Sequence, residues 1–541
     1  MNRWILIAAL AAPFATANLT QAQAVCAPQD EGEQVGQHQL LRQLSLDLRG
    51  RIPTIDEYQR LAAGETVDAV LLDEILASEE YYAQVRRDHR ALMWGSLGLL
   101  DDLPGGAFRL RRMGTGIWRL PNMRRRYRGR NNVECLNQAH PADAYDASGR
   151  PTPIRTFADA SCDGGACQQE GYVMVAPYWD PENPVKVCAW DAMRVSTGLD
   201  GNSCDVYNVD AGCGCGANLR HCMPQPGSDA QDAVRDALEE EGPRIFEHII
   251  RNGRSYLEAF TTRETVLNGP SAFFYRNFSG AESEYTGGAR VYDADMGSVP
   301  NIPFTAPNDW RVVERSDAHA GVLTTMLYDI RFASNRARAN RFYTAFRCEP
   351  FVPPADGLPA EEGGDPEPNL RERTGCSSCH QTLEVAAAHF GRWRNDSTFG
   401  LLPTEVMDPM AAREDCATCQ SDGGRRCSTF CNTYFVTADN SHVSTVEEWG
   451  GYPLARTYLN DTEAAAVMAG PAGLVDEPAE MEKVASCTVR TVAERMLGRE
   501  LHRDEYLTWV PELAQSFAEG GYDYTALVRE VATSEVYRTI R

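Results

Sequence analysis

Near its start the chain carries apolar residues at helical spacing. Leu40, Leu44 and Leu48 form one stripe, Gly50 stops it and Pro53 lies just beyond. Thr54-Ile55-Asp56-Glu57 then has the form of a capping box, so helices joined by short turns are expected from His38 to Arg87. The end of the chain repeats this grammar. Gly50-Arg51 followed by Asp56-Glu57-Tyr58 is matched by Gly498-Arg499 followed by Asp504-Glu505-Tyr506 at equal spacing, and Leu71 to Tyr81 aligns with Leu527 to Tyr537. A helical unit duplicated at the two ends is the reading; chance recurrence of helix punctuation is the alternative. Between Asn131 and Met223 the helical period disappears and Gly, Asp, Asn and Pro become dense, which predicts a loop-rich insert. Helical patterning resumes from about Ala230 to Phe346, and the acidic, proline-rich stretch Pro350 to Pro368 reads as a connector.

A chain of 541 residues can hold three or four domains of about 150 residues. Residues 1–24 have the layout of a signal peptide, with Arg3, an apolar run from Trp4 to Ala17 and the small-residue site Ala22-Gln23-Ala24. The mature chain is expected to begin at Val25, with no membrane span and a periplasmic or secreted location. Val25 before Cys26 argues against a lipid anchor, and the apolar run is shorter than the roughly 20 residues of a spanning helix.

The net charge of −24 repels nucleic acid and anionic membrane, so neither is expected as a partner. One segment runs against that balance: Arg109, Arg111, Arg112, Arg119, Arg124, Arg125, Arg126, Arg128 and Arg130. Pairing with the protein's own acidic surface is the plain reading; docking of an acidic partner or of haem propionates is the other.

Seventeen cysteines in an exported chain point to a disulfide framework. Eight of them, Cys135, Cys162, Cys167, Cys188, Cys204, Cys213, Cys215 and Cys222, fall in the insert. Up to four disulfides are expected there, with metal binding by Cys213, Cys215 and Cys222 as a minor alternative. Cys416, Cys419, Cys427 and Cys431 form a second group; Gln420 stands where a haem-ligating histidine would follow, so two disulfides are expected, or else a structural zinc site.

Cys376-Ser377-Ser378-Cys379-His380 has the c-type haem attachment pattern. Two thiols on adjacent turns reach the two vinyl groups of one porphyrin, and the next residue sets an imidazole beneath the iron. One covalent haem c is therefore expected on Cys376 and Cys379, with His380 as iron ligand; a short-loop disulfide is the competing reading. Removing that pair leaves fifteen cysteines, an odd number. A helix is predicted from Cys376 to Phe390 with Leu383, Ala387 and Phe390 on one face and Gly391 at its end. The sixth ligand is open between Met407, Met410, His442, His319 and none. His389, nine residues after His380 on the same helix, is not expected to reach the opposite haem face.

His319-Ala320-Gly321-Val322-Leu323-Thr324, Pro353-Pro354, Arg371, the haem motif and Gly391-Arg392-Trp393 together resemble the haem domain of the planctomycete-type and myxobacterial multidomain cytochrome c proteins. Thr261 to Phe278, Leu44 to Thr54 with Leu71 to Tyr82, and Gly521 to Arg538 are similar to that family's other modules, whose functions are unknown. The resemblance implies Cys376, Cys379 and His380 and no catalytic residue; the insert and the second cysteine group depart from it. The resulting expectation is a mainly α, multidomain helical protein with a cytochrome c-like haem module and a loop-rich disulfide-bonded insert. Its parts are a helical module (25–105), the Arg-rich segment and insert (106–229), a helical domain (230–310), the haem domain (311–450) and a closing helical module (451–541). Electron transfer to a redox partner protein is the favoured function. A haem enzyme of peroxidase or oxygenase type, with Glu384 or His389 as acid or base, is one alternative, and a scaffold binding an extracytoplasmic ligand is the other.

Overall fold

The computed structural model describes residues 34–94, 109–120, 134–158, 160, 165–198, 201, 204, 212–225, 228–278, 299–352, 366–393, 401–402, 407–420 and 424–539. Residues 1–24, where a signal peptide is expected, lie outside the described residues. The fold is mainly helical, with a small amount of sheet. Among the described residues no helix is long and apolar enough to cross a membrane.

The first helix, Gln37–Arg49, buries Leu40, Leu41, Leu44 and Leu48 and ends where Gly50 turns left-handed at φ 68°. Thr54 and Glu57 then close the expected capping box: the Thr54 hydroxyl accepts from the Glu57 amide (3.2 Å) and the Glu57 carboxylate from the Thr54 amide (2.6 Å). Helices Ile55–Ala62, Ala69–Leu76 and Glu79–Leu92 complete the module. At the other end Pro478–Leu497 stops at Gly498, φ 63°, and the helices Val510–Glu519, Tyr524–Thr533 and Glu535–Arg538 follow.

The two ends match in detail. In each, the arginine after the left-handed glycine binds a glutamate six residues on: Arg51 to Glu57 at 3.3 Å, Arg499 to Glu505 at 2.8 Å. In each, a serine caps the helix that carries the aligned tyrosine, Ser78 accepting from the Tyr81 amide and Ser534 from the Tyr537 amide. The ends also pack together. The Tyr537 hydroxyl donates to Asp47 (2.7 Å), the Val35 amide donates to the Arg538 carbonyl (2.9 Å), and Arg529 and Arg495 pair with Asp73 and Asp88. One hydrophobic core runs from Val35 to Tyr537 and takes in Leu383, Ala386, Ala387 and Phe390, downstream of Cys376 and Cys379.

Asp229–Arg251 is the long central helix of that core. Gly242 lets it close on the N-terminal module, since a Cβ there would lie 2.7 Å from the Met93 methyl. The helical pattern expected over 230–310 holds for this helix and for Gly269–Phe278, but Glu264–Leu267 is a strand, paired antiparallel with Arg311–Glu314. Four residues are too few for a two-residue period to show, and the partner strand is distant in sequence.

The Arg-rich segment and the insert together hold more regular structure than their composition implies. Tyr172–Val175, Val185–Cys188, Trp118–Arg119, Arg109–Arg112 and Met223–Pro224 form a five-stranded sheet in that order, and Arg155–Ala158 pairs with Ala166–Gln169 apart from it. Leu110, Leu120, Val175, Val187 and Trp190 give it a small separate core. Of the arginine cluster, Arg124, Arg125, Arg126, Arg128 and Arg130 lie outside the described residues.

Candidate functional site

Cys26 and Cys162 lie outside the described residues, and thirteen of the other fifteen cysteines are disulfide-bonded. Cys135–Cys188, Cys204–Cys213 and Cys215–Cys222 clamp the insert, and Cys167 is also bonded. Cys213, Cys215 and Cys222 are thus disulfide sulfurs, so the metal alternative for them falls. The second group pairs as Cys416–Cys431 and Cys419–Cys427, which likewise removes the four thiolates a zinc site needs. Cys348–Cys487 is a long-range bridge that spacing alone could not identify. Among the described residues two cysteines are free, Cys376 and Cys379, both half-buried.

Those two thiols sit on the first turn of the helix Ser377–Ala388. Gly375 turns left-handed at φ 79°, and the Cys376 carbonyl accepts from the amides of Cys379 (3.2 Å) and His380 (3.0 Å). Residues at i, i+3 and i+4 share a helix face, so Cys376, Cys379 and His380 stand side by side. The alanines at 386, 387 and 388 favour helix and are small enough for close packing. Leu383, Ala386 and Ala387 enter the main core, while Ala388 packs on Leu459, Ala464 and Val467. Just ahead of the motif, Arg371 forms a two-pronged ion pair with Glu463 (2.7 and 2.9 Å) and donates to the Tyr458 carbonyl (2.7 Å), fixing the entry to the helix.

His380 Nδ1 lies 2.5 Å from Glu384 Oε1, one turn further on. A carboxylate only accepts, so Nδ1 carries the hydrogen and Nε2 is the nitrogen left with a lone pair for a metal. Arg336, from the helix Asn335–Phe346, donates from Nε to both oxygens of Glu384 at 2.9 and 3.1 Å. A cleft of about 260 Å³ opens beside Glu384, lined also by Arg336, Asn369, Arg371, His442 and Tyr458.

The other candidates are dispersed. Met407 is buried among Leu402, Cys416, Cys431 and Phe435, whereas Met410 is exposed. His442 caps the helix Val443–Trp449 with Nδ1 toward the Ser444 hydroxyl (2.7 Å) and faces the cleft. His319 is buried beside the Thr324 hydroxyl (2.8 Å), and burial followed by the Arg315 charge holds its pKa well down. Burial also lowers His389, whose Nδ1 lies 2.8 Å from the Gly470 carbonyl. Sequence reasoning named Glu384 only as a candidate acid or base and did not pair it with His380, although the four-residue spacing on one helix was a signal for that contact; it had no signal for Arg336, which arrives from another helix.

A covalent haem needs two reduced thiols one turn apart and an imidazole with an open nitrogen beside them. This turn offers both, in a chain whose other described cysteines are oxidised. A carboxylate on the far nitrogen is the usual second partner of a metal-bound histidine, and Glu384 stands there. No family model, curated protein or solved structure was found to match the chain.

Proposed function

We propose that this chain is an exported c-type haem protein that passes electrons to a redox partner through one covalently bound haem. The observation that carries the reading is the pair of free thiols, Cys376 and Cys379, one helical turn apart next to His380, while every other cysteine among the described residues is in a disulfide. Disulfides of this number belong to an oxidising compartment, where such attachment takes place. The resemblance to multidomain cytochrome c proteins points the same way and rests on the motif and module sequences alone.

Cys376 and Cys379 would each add across a vinyl group, the sulfur bonding to one carbon and its hydrogen passing to the other, so no oxidant or leaving group is involved. His380 would ligate the iron through Nε2 while Glu384 holds Nδ1–H and fixes the ring. Bound there, haem would supply a one-electron ferric/ferrous couple. Electron transfer asks for nothing more of the protein. The enzyme reading needs an acid or base at liberty near the site, and both candidates are engaged: Glu384 by His380 and Arg336, His389 by the Gly470 carbonyl.

The test is an absorption spectrum of the full chain, produced in a host with haem-attachment machinery, oxidised and reduced, before and after carbon monoxide. A reduced c-type spectrum unchanged by carbon monoxide supports electron transfer. A spectrum that shifts with carbon monoxide moves the assignment to an enzyme with an open iron position. Absence of covalent haem refutes the reading.

A further inference from the structure

We propose that Glu384 sets how strongly the His380 imidazole donates electrons, and that Arg336 limits it; this rests on the reading of His380 as an iron ligand. Glu384 is a positioning residue, acting only through His380.

The argument starts from the 2.5 Å contact between His380 Nδ1 and Glu384 Oε1. A hydrogen bond to an ionised acceptor is roughly twice as strong as a neutral one. Both side chains are about four-fifths shielded from water, at 21% and 18% exposure, so the bond acts at a lower effective dielectric than at the surface. Pulling the hydrogen toward Oε1 leaves more negative charge on the ring, and Nε2 shares it. A more strongly donating imidazole stabilises ferric over ferrous iron and lowers the reduction potential. Proximity along the helix makes the contact robust, because residues four apart face each other.

Arg336 opposes this. Its Nε donates to both oxygens of the same carboxylate, at 2.9 and 3.1 Å, and draws its charge away from the imidazole. Arg336 is half-exposed and comes from a different helix, so it can be changed without emptying the core. Opposite effects are therefore expected from two neighbouring substitutions, which loss of packing at one site would not produce.

The experiment is an optical redox titration of the full-length haem-loaded protein, comparing wild type with Glu384→Gln and Arg336→Gln. Covalent haem content is measured on each sample first. Glu384→Gln is expected to move the ferric/ferrous equilibrium at least tenfold toward ferrous iron, a rise of 59 mV in midpoint for one electron. Arg336→Gln is expected to move it severalfold the other way. Haem-loaded Glu384→Gln with a midpoint equal to wild type overturns the proposal and leaves the haem reading intact. If Glu384→Gln fails to fold, Arg336→Gln still decides: a midpoint that is unchanged or higher overturns it. Wild-type protein without covalent haem overturns this proposal and the proposed function together.

Discussion

The bridge between Cys348 and Cys487 joins the segment after the helix Asn335–Phe346 to the middle of the helix Pro478–Leu497, across a sequence separation of 139. Cys376, Cys379 and His380 lie inside that loop. A cross-link restricts the unfolded chain by an amount that grows with the logarithm of loop length, which for this bridge comes to about 5 kcal/mol. The smaller bridges inside the loop, Cys416–Cys431 and Cys419–Cys427, alter that by only about 0.1 kcal/mol, because shortening a long loop slightly hardly changes its logarithm. Cys215–Cys222, with a separation of 7, is worth about 2 kcal/mol by the same argument. The double variant Cys348→Ser/Cys487→Ser should therefore lose about 3–5 kcal/mol, and Cys215→Ser/Cys222→Ser roughly half as much. Urea unfolding followed by far-ultraviolet circular dichroism measures both as midpoint shifts. A loss below about 1 kcal/mol for the long bridge, or one no larger than for the short bridge, would refute the loop-closure reasoning.

His89 is enclosed, its Nδ1–H donating to the Val85 carbonyl (2.8 Å) and its Nε2 accepting from the Tyr256 hydroxyl (3.2 Å), and burial lowers its pKa from 6.5 to about 4. The unfolded chain takes up this proton at higher pH than the folded one, so the contribution is full above pH 6.5 and is lost as pH falls toward 4. His89→Gln should abolish about 2 kcal/mol of the stability lost between pH 7 and pH 5; urea unfolding at both values checks it, and equal acid losses in the two proteins would count against it. In protein made without haem attachment, iodoacetamide should label Cys376 and Cys379 while Cys416, Cys419, Cys427 and Cys431 resist it, with or without a chelator. Peptide mapping that finds the latter four labelled after chelator treatment would restore the zinc reading.

Much of the terminal architecture was legible because its signals are local. The stop at Gly50, its counterpart at Gly498, and the box at Thr54 and Glu57 each involve residues within six positions. The helical turn that carries Cys376, Cys379 and His380 was legible for the same reason, whereas the Glu384 contact, though consistent with helical spacing, was not read from it. The strand pair Glu264–Leu267 with Arg311–Glu314 was not legible, nor were the cysteine pairings. Spacing limits which thiols can meet only when the loop between them is short.

The sequence by itself determined the helices, their caps and the turn that aligns Cys376, Cys379 and His380, since backbone hydrogen bonding and a 3.6-residue period act over neighbours. Only the tertiary structure decided that the two matching end modules share one core, that Cys348 meets Cys487, and that Arg336 reaches Glu384. These contacts join residues 48 to several hundred positions apart, and burial of apolar surface, which is indifferent to direction along the chain, selects them.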